Sequence, residues 1–379
     1  MIIRITYLVT VVAAVLLLFV GHKIAVTGRF IFQDFSQEIV RADVHSVADR
    51  VRQDEGLGEF VPIMGEIIIF EARITSGERK GEIVTAAQTF SSFTRVAQRE
   101  VYRGASILLI NSNGEWYFNG HFRINRLLVL GILFALCVLV FGGKKGFNTL
   151  LSLVLTCTAI FAVFIPAVLS GKNIYLMSLL VCSYMVAMTP LIVIGYNKKS
   201  LASIAGCSGG LIISGIIAFV MDKALYLTGI VDEHSRYLVN ITGEMPIDLR
   251  AIIFAGIIIG AMGAIMDVSI SLSSALWELK EKAEDIKFKE LLRSGINIGR
   301  DIMGTMADTL ILAYIGSSLS VVLILSVFSG SLLGLFNSEM IVVEILQALA
   351  GSFGILFAMP LTAIFCSIIY LKDEKKTTI

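Results

Sequence analysis

The sequence predicts an α-helical polytopic membrane protein with about eight transmembrane helices and a small extracytoplasmic β-barrel-like domain inserted between helices 1 and 2. The first observation is composition. Of the 379 residues, 56% are hydrophobic and only 16% are charged, whereas soluble domains carry about 25% charged residues. The second observation is that residues 23–125 combine short β-branched segments with turn residues, as in a small all-β domain.

Charge and cysteine content exclude several classes of function. The 31 basic and 30 acidic residues nearly cancel, which argues against nucleic-acid binding, because that requires a clustered basic excess. All five cysteines lie in apolar runs without a CxxC pair, so we expect no disulfide framework. HExxH zinc motifs and Walker lysine loops are also missing from the sequence. We therefore expect no metal and no cofactor.

Eight apolar runs approach the roughly 20 residues that a helix needs to cross the hydrocarbon layer. They lie near residues 5–21, 126–141, 147–169, 174–195, 201–221, 251–272, 302–328 and 351–371. A further stretch, 331–350, carries Glu339, Glu344 and Gln347 and is predicted to be re-entrant, interfacial or spanning. The predicted divisions are an N-terminal membrane anchor or signal segment (1–22), the β-rich domain (23–125), a seven-helix transmembrane domain (126–371) and a tail (372–379).

The distribution of lysine and arginine predicts the orientation. With the N- and C-termini in the cytoplasm, cytoplasmic segments hold 14 basic residues and the short external loops hold four. Residues 23–125 are then extracytoplasmic. We interpret the first run as a signal anchor because no clear small-residue cleavage site follows it, and a cleaved signal peptide remains the alternative.

Within residues 23–125, several segments have the pattern of strands. Val40, Ala42 and Val44 alternate with polar residues, and four further runs are β-branched or aromatic and separated by turn pairs such as Asn113-Gly114. These runs are 65–74, 81–90, 106–110 and 116–118. Four or five short strands predict a small β-barrel, which we interpret as a structural or partner-binding module.

Two stripes of small and polar residues mark the predicted sixth and seventh spans. The first contains Gly256, Gly260, Gly263, Asp267, Ser271, Ser274 and Glu278, and the second contains Asn297, Asp301, Thr305 and Asp308. Each stripe falls within an arc of roughly 80° on a helix. Small residues let helices approach closely, so we expect the two stripes to pack against each other, with Gly256, Gly260, Gly263, Ser271 and Ser274 as helix-packing positions.

Asp267 and Asp308 are the candidate functional groups of these stripes. Both are predicted to lie roughly 6–10 Å into the inner half of the membrane, where ionisable groups are costly unless they are paired or solvated. The functional hypothesis is a cation or proton site at the inner mouth of a pathway. The alternative is a structural ion pair or cap with Arg300, which lies beside Asp301.

The segments around these stripes predict two further features. About 40 residues separate Asn297 from Phe336, more than one crossing needs, so we expect the helix to break, and Gly299, Gly304 and Gly316-Ser317-Ser318 are the positions that interrupt this segment. Basic and apolar residues alternate from about 277 to 300, which predicts a cytoplasmic amphipathic helix. Such a helix lies on anionic lipid or couples to a cytoplasmic or membrane subunit.

One serine motif suggests catalysis. Gly206-Cys207-Ser208-Gly209 matches the GxSG of rhomboid proteases, but the four histidines lie outside the predicted spans. A serine nucleophile needs a base within hydrogen-bond reach. We therefore interpret this motif as helix packing and predict no enzymatic activity.

Four segments together resemble the YibE/F family of bacterial membrane proteins. They are AIMDVSIS (264–271), SALWEL (274–279), SGINIGRDIMGTM (294–306) and TLILAYIG (309–316). The turn at 143–146 and the preceding β-module are also similar to members of this family, so the resemblance covers nearly the whole chain. It implies a location in a bacterial cell membrane and no particular substrate.

Two functions from different classes follow from these features. The leading hypothesis is a permease for an unknown small substrate or ion, with a polar inner-leaflet site on the sixth and seventh helices. Its candidate binding residues are Asp267, Asn297, Arg300, Asp301, Thr305 and Asp308. The alternative is a membrane scaffold that binds a partner through its extracytoplasmic β-domain.

Overall fold

The computed structural model describes residues 2–27, 38–55, 63–90, 99–241, 247–283, 285–328 and 331–371. The chain divides into two compact units. Residues 33–137 form the first unit, and residues 1–32 together with 138–379 form the second. The first contains a β-barrel and the second is helical.

The β-barrel contains five strands. They are β1 (Ile39–Glu55), β2 (Ile63–Ile74), β3 (Ile83–Phe90), β4 (Ser106–Ser112) and β5 (Glu115–His121). They close in the order β1-β2-β3-β5-β4, with β1 also paired to β4. All pairs are antiparallel except β3 with β5. This is the strand arrangement of an OB-fold barrel, and it confirms the prediction of a small β-barrel.

The barrel core follows the alternation that predicted the first strand. Val40, Ala42 and Val44 are buried and pack with Phe70 and Leu109. The hairpin between β4 and β5 turns at Asn113 and Gly114, whose φ values are 55° and 90°. Asparagine and glycine are the residues that tolerate these values, so the predicted turn pair is confirmed.

The helical part contains one long helix for most of the predicted spans. The helices are α1 (Ile2–Val26), α2 (Ile124–Thr158), α3 (Ile165–Leu169), α4 (Ile174–Val193), α5 (Lys198–Ala224), α6 (Glu233–Ile241), α7 (Leu249–Lys282), α8 (Phe288–Ser317), α9 (Leu319–Phe328), α10 (Leu332–Phe336) and α11 (Glu339–Leu371). A π-helical turn, Ala159–Phe164, joins α2 to α3. Among the described residues, six helices are long and apolar enough to cross a membrane, or seven if the bent pair α8–α9 is one span.

A break at Gly143 explains part of the difference between this count and the predicted eight. Residues Ile124–Leu169 count as one 46-residue stretch, but Gly143 has φ 54° and ψ −128°, which are not helical. Only glycine adopts such values without strain. A Cβ on Gly146 would lie 2.2 Å from the carbonyl oxygen of Val138, so the chain bends sharply here. The two runs 126–141 and 147–169 lie on either side of this bend, and eight spans remain a prediction.

The structure differs from the sequence prediction in two other segments. Residues 339–350, expected to form a separate segment with 331–338, are the first turns of α11, which continues without a break to Leu371. Residues 277–300, expected to form one amphipathic helix, are divided between the end of α7 and the start of α8, because the chain leaves the helix at Ala283. In both cases the polarity of the residues did not indicate where the helix begins or ends.

The predicted break of the seventh span is confirmed. α8 ends at Ser317 and α9 begins at Leu319, and the two helices are bent by 57°. Of the three interruptions in the sequence, the bend lies at Gly316-Ser317-Ser318, and α8 continues as a helix through Gly299 and Gly304.

Helices α5, α7 and α11 pack together at the centre of the helical unit, and glycines make this possible. A Cβ on Gly206 of α5 would lie 1.9 Å from Thr362 Oγ1 of α11, and one on Gly209 would lie 2.5 Å from a methyl group of Leu361. Such close approach is the role of small residues in membrane helices. The GxSG motif therefore lies at a helix contact, as expected.

Helix α1 packs on the π-helical turn and α3. Pro166 has no backbone N–H to donate to the carbonyl four residues before it. That carbonyl, of Ala162, lies 2.6 Å from Nδ1 of His22, which can donate in the tautomer protonated at Nδ1. Gly21 lies against Val163, where a Cβ would be 3.2 Å from a methyl carbon. His22 of α1 thus contacts a carbonyl that has no α-helical donor because Pro166 lacks an N–H.

Candidate functional site

The candidate site begins with the exposed side of α7. Among the candidate spans, α7 is the most buried. Between Ala251 and Leu279, only six residues of this helix are exposed. They are Gly256, Gly260, Gly263, Asp267, Ser271 and Glu278, and we call them the α7 strip. Ser274, the seventh member of the predicted stripe, is half-buried.

The α7 strip differs chemically from the exposed sides of the neighbouring long helices. α4 exposes Leu176 and Leu180, α5 exposes Ile212, and α11 exposes Leu349 and Phe353. No large hydrophobic residue of α7 is exposed among the described residues. Apolar side chains are what a helix presents to lipid, so the α7 strip has the composition of a surface that faces water or protein.

The stripe on α7 does not provide the helix packing expected from sequence. A Cβ on Gly263 would meet no atom within 4 Å, and one on Gly256 would reach only the Gln347 amide at 3.6 Å. Ser271 is exposed as well. Gly260 alone makes a close approach, with its Cβ position 2.5 Å from the Tyr314 hydroxyl of α8. The small residues were predicted correctly to share one side, but that side points outward.

The five candidate residues of α8 also face outward. Asn297, Arg300, Asp301, Thr305 and Asp308 are all exposed. The opposite side of α8, with Leu291, Gly295 and Gly299, is buried. This division into a polar and a packed side explains why α8 is the most amphipathic of the long helices.

Leucine and glycine, not the polar stripes, form the contact between α7 and α8. A Cβ on Gly295 would lie 3.0 Å from Leu276, and one on Gly299 would lie 3.6 Å from Leu272. Both leucines are fully buried. The expectation that the two stripes pack against each other is therefore not met. The reason is geometric: glycines on α8 admit leucines of α7, which turns both polar sides away from the contact.

The carboxylates of the site have no basic partner. Among the described residues, Asp267, Asp301 and Asp308 form no ion pair, and Arg300 forms none either. The alternative of a structural pair with Arg300 is thus not found in the described part of the chain. An exposed carboxylate without a partner on an apolar helix can bind a cation or a proton when water reaches it.

A buried hydroxyl network was missed by the sequence reasoning. Ser203 Oγ of α5 lies 2.6 Å from Ser273 Oγ of α7, Thr362 of α11 donates to Ser269 Oγ at 3.3 Å, and the Tyr370 hydroxyl donates to the Ser273 carbonyl at 2.9 Å. All five residues are fully buried. The network joins the three central helices on the side of α7 opposite Asp267. Serines in apolar helices gave no signal that separates such a network from simple packing.

A cavity of about 380 Å³ lies beside the break between α8 and α9, enclosed by those helices together with α10 and α11. Its walls are apolar except for Tyr314, Ser318 and Glu344. Ser318 is 4% exposed, and its hydroxyl has no hydrogen-bond partner. Tyr314 also contacts the α7 strip at Gly260, so the strip and the helix break are adjacent.

No group of three histidine, cysteine or acidic side chains able to hold a metal ion occurs in the described ranges. The site therefore consists of partnerless carboxylates, amides and hydroxyls on the outward sides of two helices.

Comparison with known proteins identifies one family. A family model described as YibE/F-like protein matches residues 130–372, which is more than half of the chain. The match confirms the resemblance found in the sequence, and its range covers α7 and α8 but not the barrel strands. No curated protein and no solved structure matches the chain.

Proposed function

We propose that this chain, which belongs to the YibE/F-like family, is a membrane permease for an ion or a small polar substrate. In this proposal the α7 strip lines the path, and Asp267 is the group that binds a cation or a proton on the way. Asn297, Asp301, Thr305 and Asp308 of α8 extend the polar surface, and Arg300 balances its charge. The activity is transport without chemical conversion.

One observation carries the proposal, namely that between Ala251 and Leu279 the most buried of the candidate spans exposes only glycine, aspartate, serine and glutamate. Lipid contact does not explain this composition, because a carboxylate in hydrocarbon costs several kcal/mol. Gly263, on the same side, has open space beside its Cα and leaves room for a substrate next to the backbone. A water-filled path satisfies both requirements.

The bent pair α8–α9 supports the same proposal. Broken helices whose ends meet a binding site are a recurrent feature of transporters. Here the break adjoins a cavity, and Tyr314 connects that cavity to Gly260 on the strip. We propose that movement at this break opens and closes the outer end of the path.

The proposed location is a bacterial cell membrane, crossed several times. Both termini are cytoplasmic and residues 23–125 are extracytoplasmic. Two basic residues at the start of α8, Lys289 and Arg293, line a groove that we propose rests on anionic lipid or on a second subunit. Reporter fusions test the topology: green fluorescent protein after residue 371 should fluoresce, and alkaline phosphatase inserted between residues 77 and 81 should be active.

Cysteine labelling tests the path directly. Cys137 and Cys157 are exposed and are first replaced by serine. Gly263→Cys and Ser271→Cys then place a thiol on the α7 strip, and inverted membrane vesicles are treated with a charged, membrane-impermeant thiol reagent. Both variants should react. Ser273→Cys, two residues away and fully buried, should not.

A second control separates water from lipid. Ile212→Cys on α5 is also at an exposed position, at 61%, but beside the exposed Ile216, and it should resist the charged reagent. If Gly263→Cys and Ser271→Cys resist it as well, the path does not exist. If Gly263→Cys instead forms disulfides between two copies, the strip is an assembly surface, which contradicts the permease and favours the scaffold.

A further inference from the structure

A second cavity, which is polar, lies on the β-barrel, remote in sequence from the candidate site. Its volume is about 850 Å³, and all of its lining residues belong to the unit formed by residues 33–137. It is formed by β1, by the segment before β4, by the end of β5 and by the first turn of α2. The lining includes Arg41, Arg99, Arg123 and Arg126, together with His121.

The four arginines line one cavity without a compensating acid among the described residues. In that part of the chain no aspartate or glutamate lines the cavity, and none of the four arginines forms an ion pair. Asp43 accepts a hydrogen bond from the lining residue Ser106 at 2.6 Å but does not itself line the cavity. Four guanidinium groups that line one cavity repel each other. An anion bound among them reduces this repulsion.

Arg41 shows that the cavity is built rather than accidental. Its guanidinium carbon lies 4.3 Å above the centre of the Phe122 ring, which fixes the plane of the group. Its Nε is buried and has no hydrogen-bond partner. A buried donor without a partner costs about 1–3 kcal/mol, and an anion that draws the Arg41 guanidinium toward the cavity would remove that cost.

Two other features position donors around the same space. Gln88, 1% exposed, donates to the carbonyl of Arg99 at 3.0 Å and accepts from the N–H of Val101 at 2.8 Å, which holds the segment carrying Arg99. α2 begins at Ile124, so the free N–H groups of its first turn are near Arg123 and Arg126. Helix N-termini favour anions.

We propose that this cavity binds a phosphate-type oxyanion. Arginine is the side chain best suited to it, because its planar fork donates two parallel hydrogen bonds to phosphate oxygens. The ligand is either a soluble phosphate compound or the headgroup of an anionic phospholipid. The barrel thereby gains a binding role that does not depend on transport by the helical part.

The test uses the full-length chain in detergent micelles and isothermal titration calorimetry. One arm adds inorganic phosphate. A second adds phosphatidylglycerol in mixed micelles, and a third adds diacylglycerol, which has the same acyl chains without phosphate. The variant carries Arg99→Gln and Arg126→Gln, both at exposed residues, so the fold does not depend on them. The control is Arg73→Gln, an exposed arginine of β2 outside the cavity.

The parent and the control should bind in the phosphate arm, the phosphatidylglycerol arm or both, and the double variant should bind roughly tenfold or more weakly in the same arm. Binding in the phosphate arm identifies a soluble ligand, whereas binding only with phosphatidylglycerol identifies a lipid headgroup. Because basic residues on α8 also attract anionic lipid, the quantity that decides is the difference between parent and variant. The proposal is overturned if the parent and the double variant have equal affinities in both the phosphate arm and the phosphatidylglycerol arm. It is also overturned if diacylglycerol binds as strongly as phosphatidylglycerol.

Discussion

A carboxylate on an apolar helix is stabilised by water, by a cation or by a basic side chain, and Asp267 has no basic side chain next to it among the described residues. Its neighbours on the strip, Gly263 and Ser271, are small and exposed. The remaining stabilisers are water and a cation. This residue is therefore the most direct point at which to test transport.

We expect Asp267→Asn to abolish most of the cation or proton flux, because the amide neither binds a cation strongly nor exchanges a proton. The measurement is proton flux in proteoliposomes with a trapped pH-sensitive dye, driven by a potassium diffusion potential, and repeated with a sodium gradient. Asp285→Asn, in the loop between α7 and α8, serves as the control at equal protein content. Flux that is the same in Asp267→Asn and the parent would show that this carboxylate is not on the path.

Gln88 is a second side chain for which the structure predicts a measurable effect, here on the stability of the barrel. Gln88→Leu removes both hydrogen bonds that hold residues Arg99 and Val101 and leaves the buried N–H of Val101 without its partner. We expect the barrel to lose about 1–3 kcal/mol of unfolding free energy. Denaturant unfolding followed by the fluorescence of Trp116, in a Trp277→Phe background, measures this loss. Thr89→Val, at the exposed next residue of β3, should change the unfolding free energy little.

At the scale of helices, glycines have opposite roles on α5 and on α7. On α5, Gly206, Gly209 and Gly210 admit α11 to within contact of the backbone, whereas on α7 Gly263 borders open space. The sequence shows the same small residue at helical spacing in both places. Only the neighbouring helices distinguish the two roles.

Gly206→Ala and Gly263→Ala therefore form a matched pair. The first places a methyl group 1.9 Å from Thr362 Oγ1 and the second meets nothing within 4 Å. Overpacking of this kind costs about 1–3 kcal/mol, so the thermal unfolding temperature in detergent should fall for Gly206→Ala and stay near that of the parent for Gly263→Ala. A comparable fall for Gly263→Ala would mean that another copy or subunit covers the strip.

The contact between α1 and the π-helical turn predicts a coupling between two residues. His22→Ala leaves the Ala162 carbonyl without its donor, and Pro166→Ala restores a backbone N–H four residues later. We expect His22→Ala to cost about 0.5–1.5 kcal/mol in the parent and less in the Pro166→Ala background. A double-mutant cycle on unfolding in detergent measures the coupling, with Lys23→Ala as the control. Equal costs in both backgrounds would exclude this role for His22.

At the scale of the whole molecule, two units carry separate cores. The buried residues of the barrel and those of the helical unit form distinct clusters. Each unit contains one of the two tryptophans, Trp116 in the barrel and Trp277 at the end of α7. The chain thus provides its own reporter for each unit.

We expect the two units to unfold in separate transitions. Trp277→Phe and Trp116→Phe each leave one reporter, and the two variants should give different midpoints in a denaturant titration. Adding Gln88→Leu should shift the Trp116 transition alone. A single shared transition, shifted equally for both reporters, would show that the units unfold together.

Much of the architecture could be read from local patterns. Apolar runs predicted long helices, alternation at Val40, Ala42 and Val44 predicted a strand, and the length of the seventh segment predicted a break, which the structure places at Gly316-Ser317-Ser318. These patterns work because backbone geometry fixes the period of each element. The four segments that resemble the family lie on α7 and α8, which are neighbouring helices.

The sequence by itself determined that Asp267 shares one side of a helix with glycines and serines, because a helix places residues three and four apart on the same side. Only the tertiary structure decided where that side points, since this depends on Leu272 and Leu276 fitting against Gly295 and Gly299. The arginine cavity was hidden for the same reason. A nearly neutral charge sum says nothing about how the barrel gathers Arg41, Arg99 and Arg126 around one space.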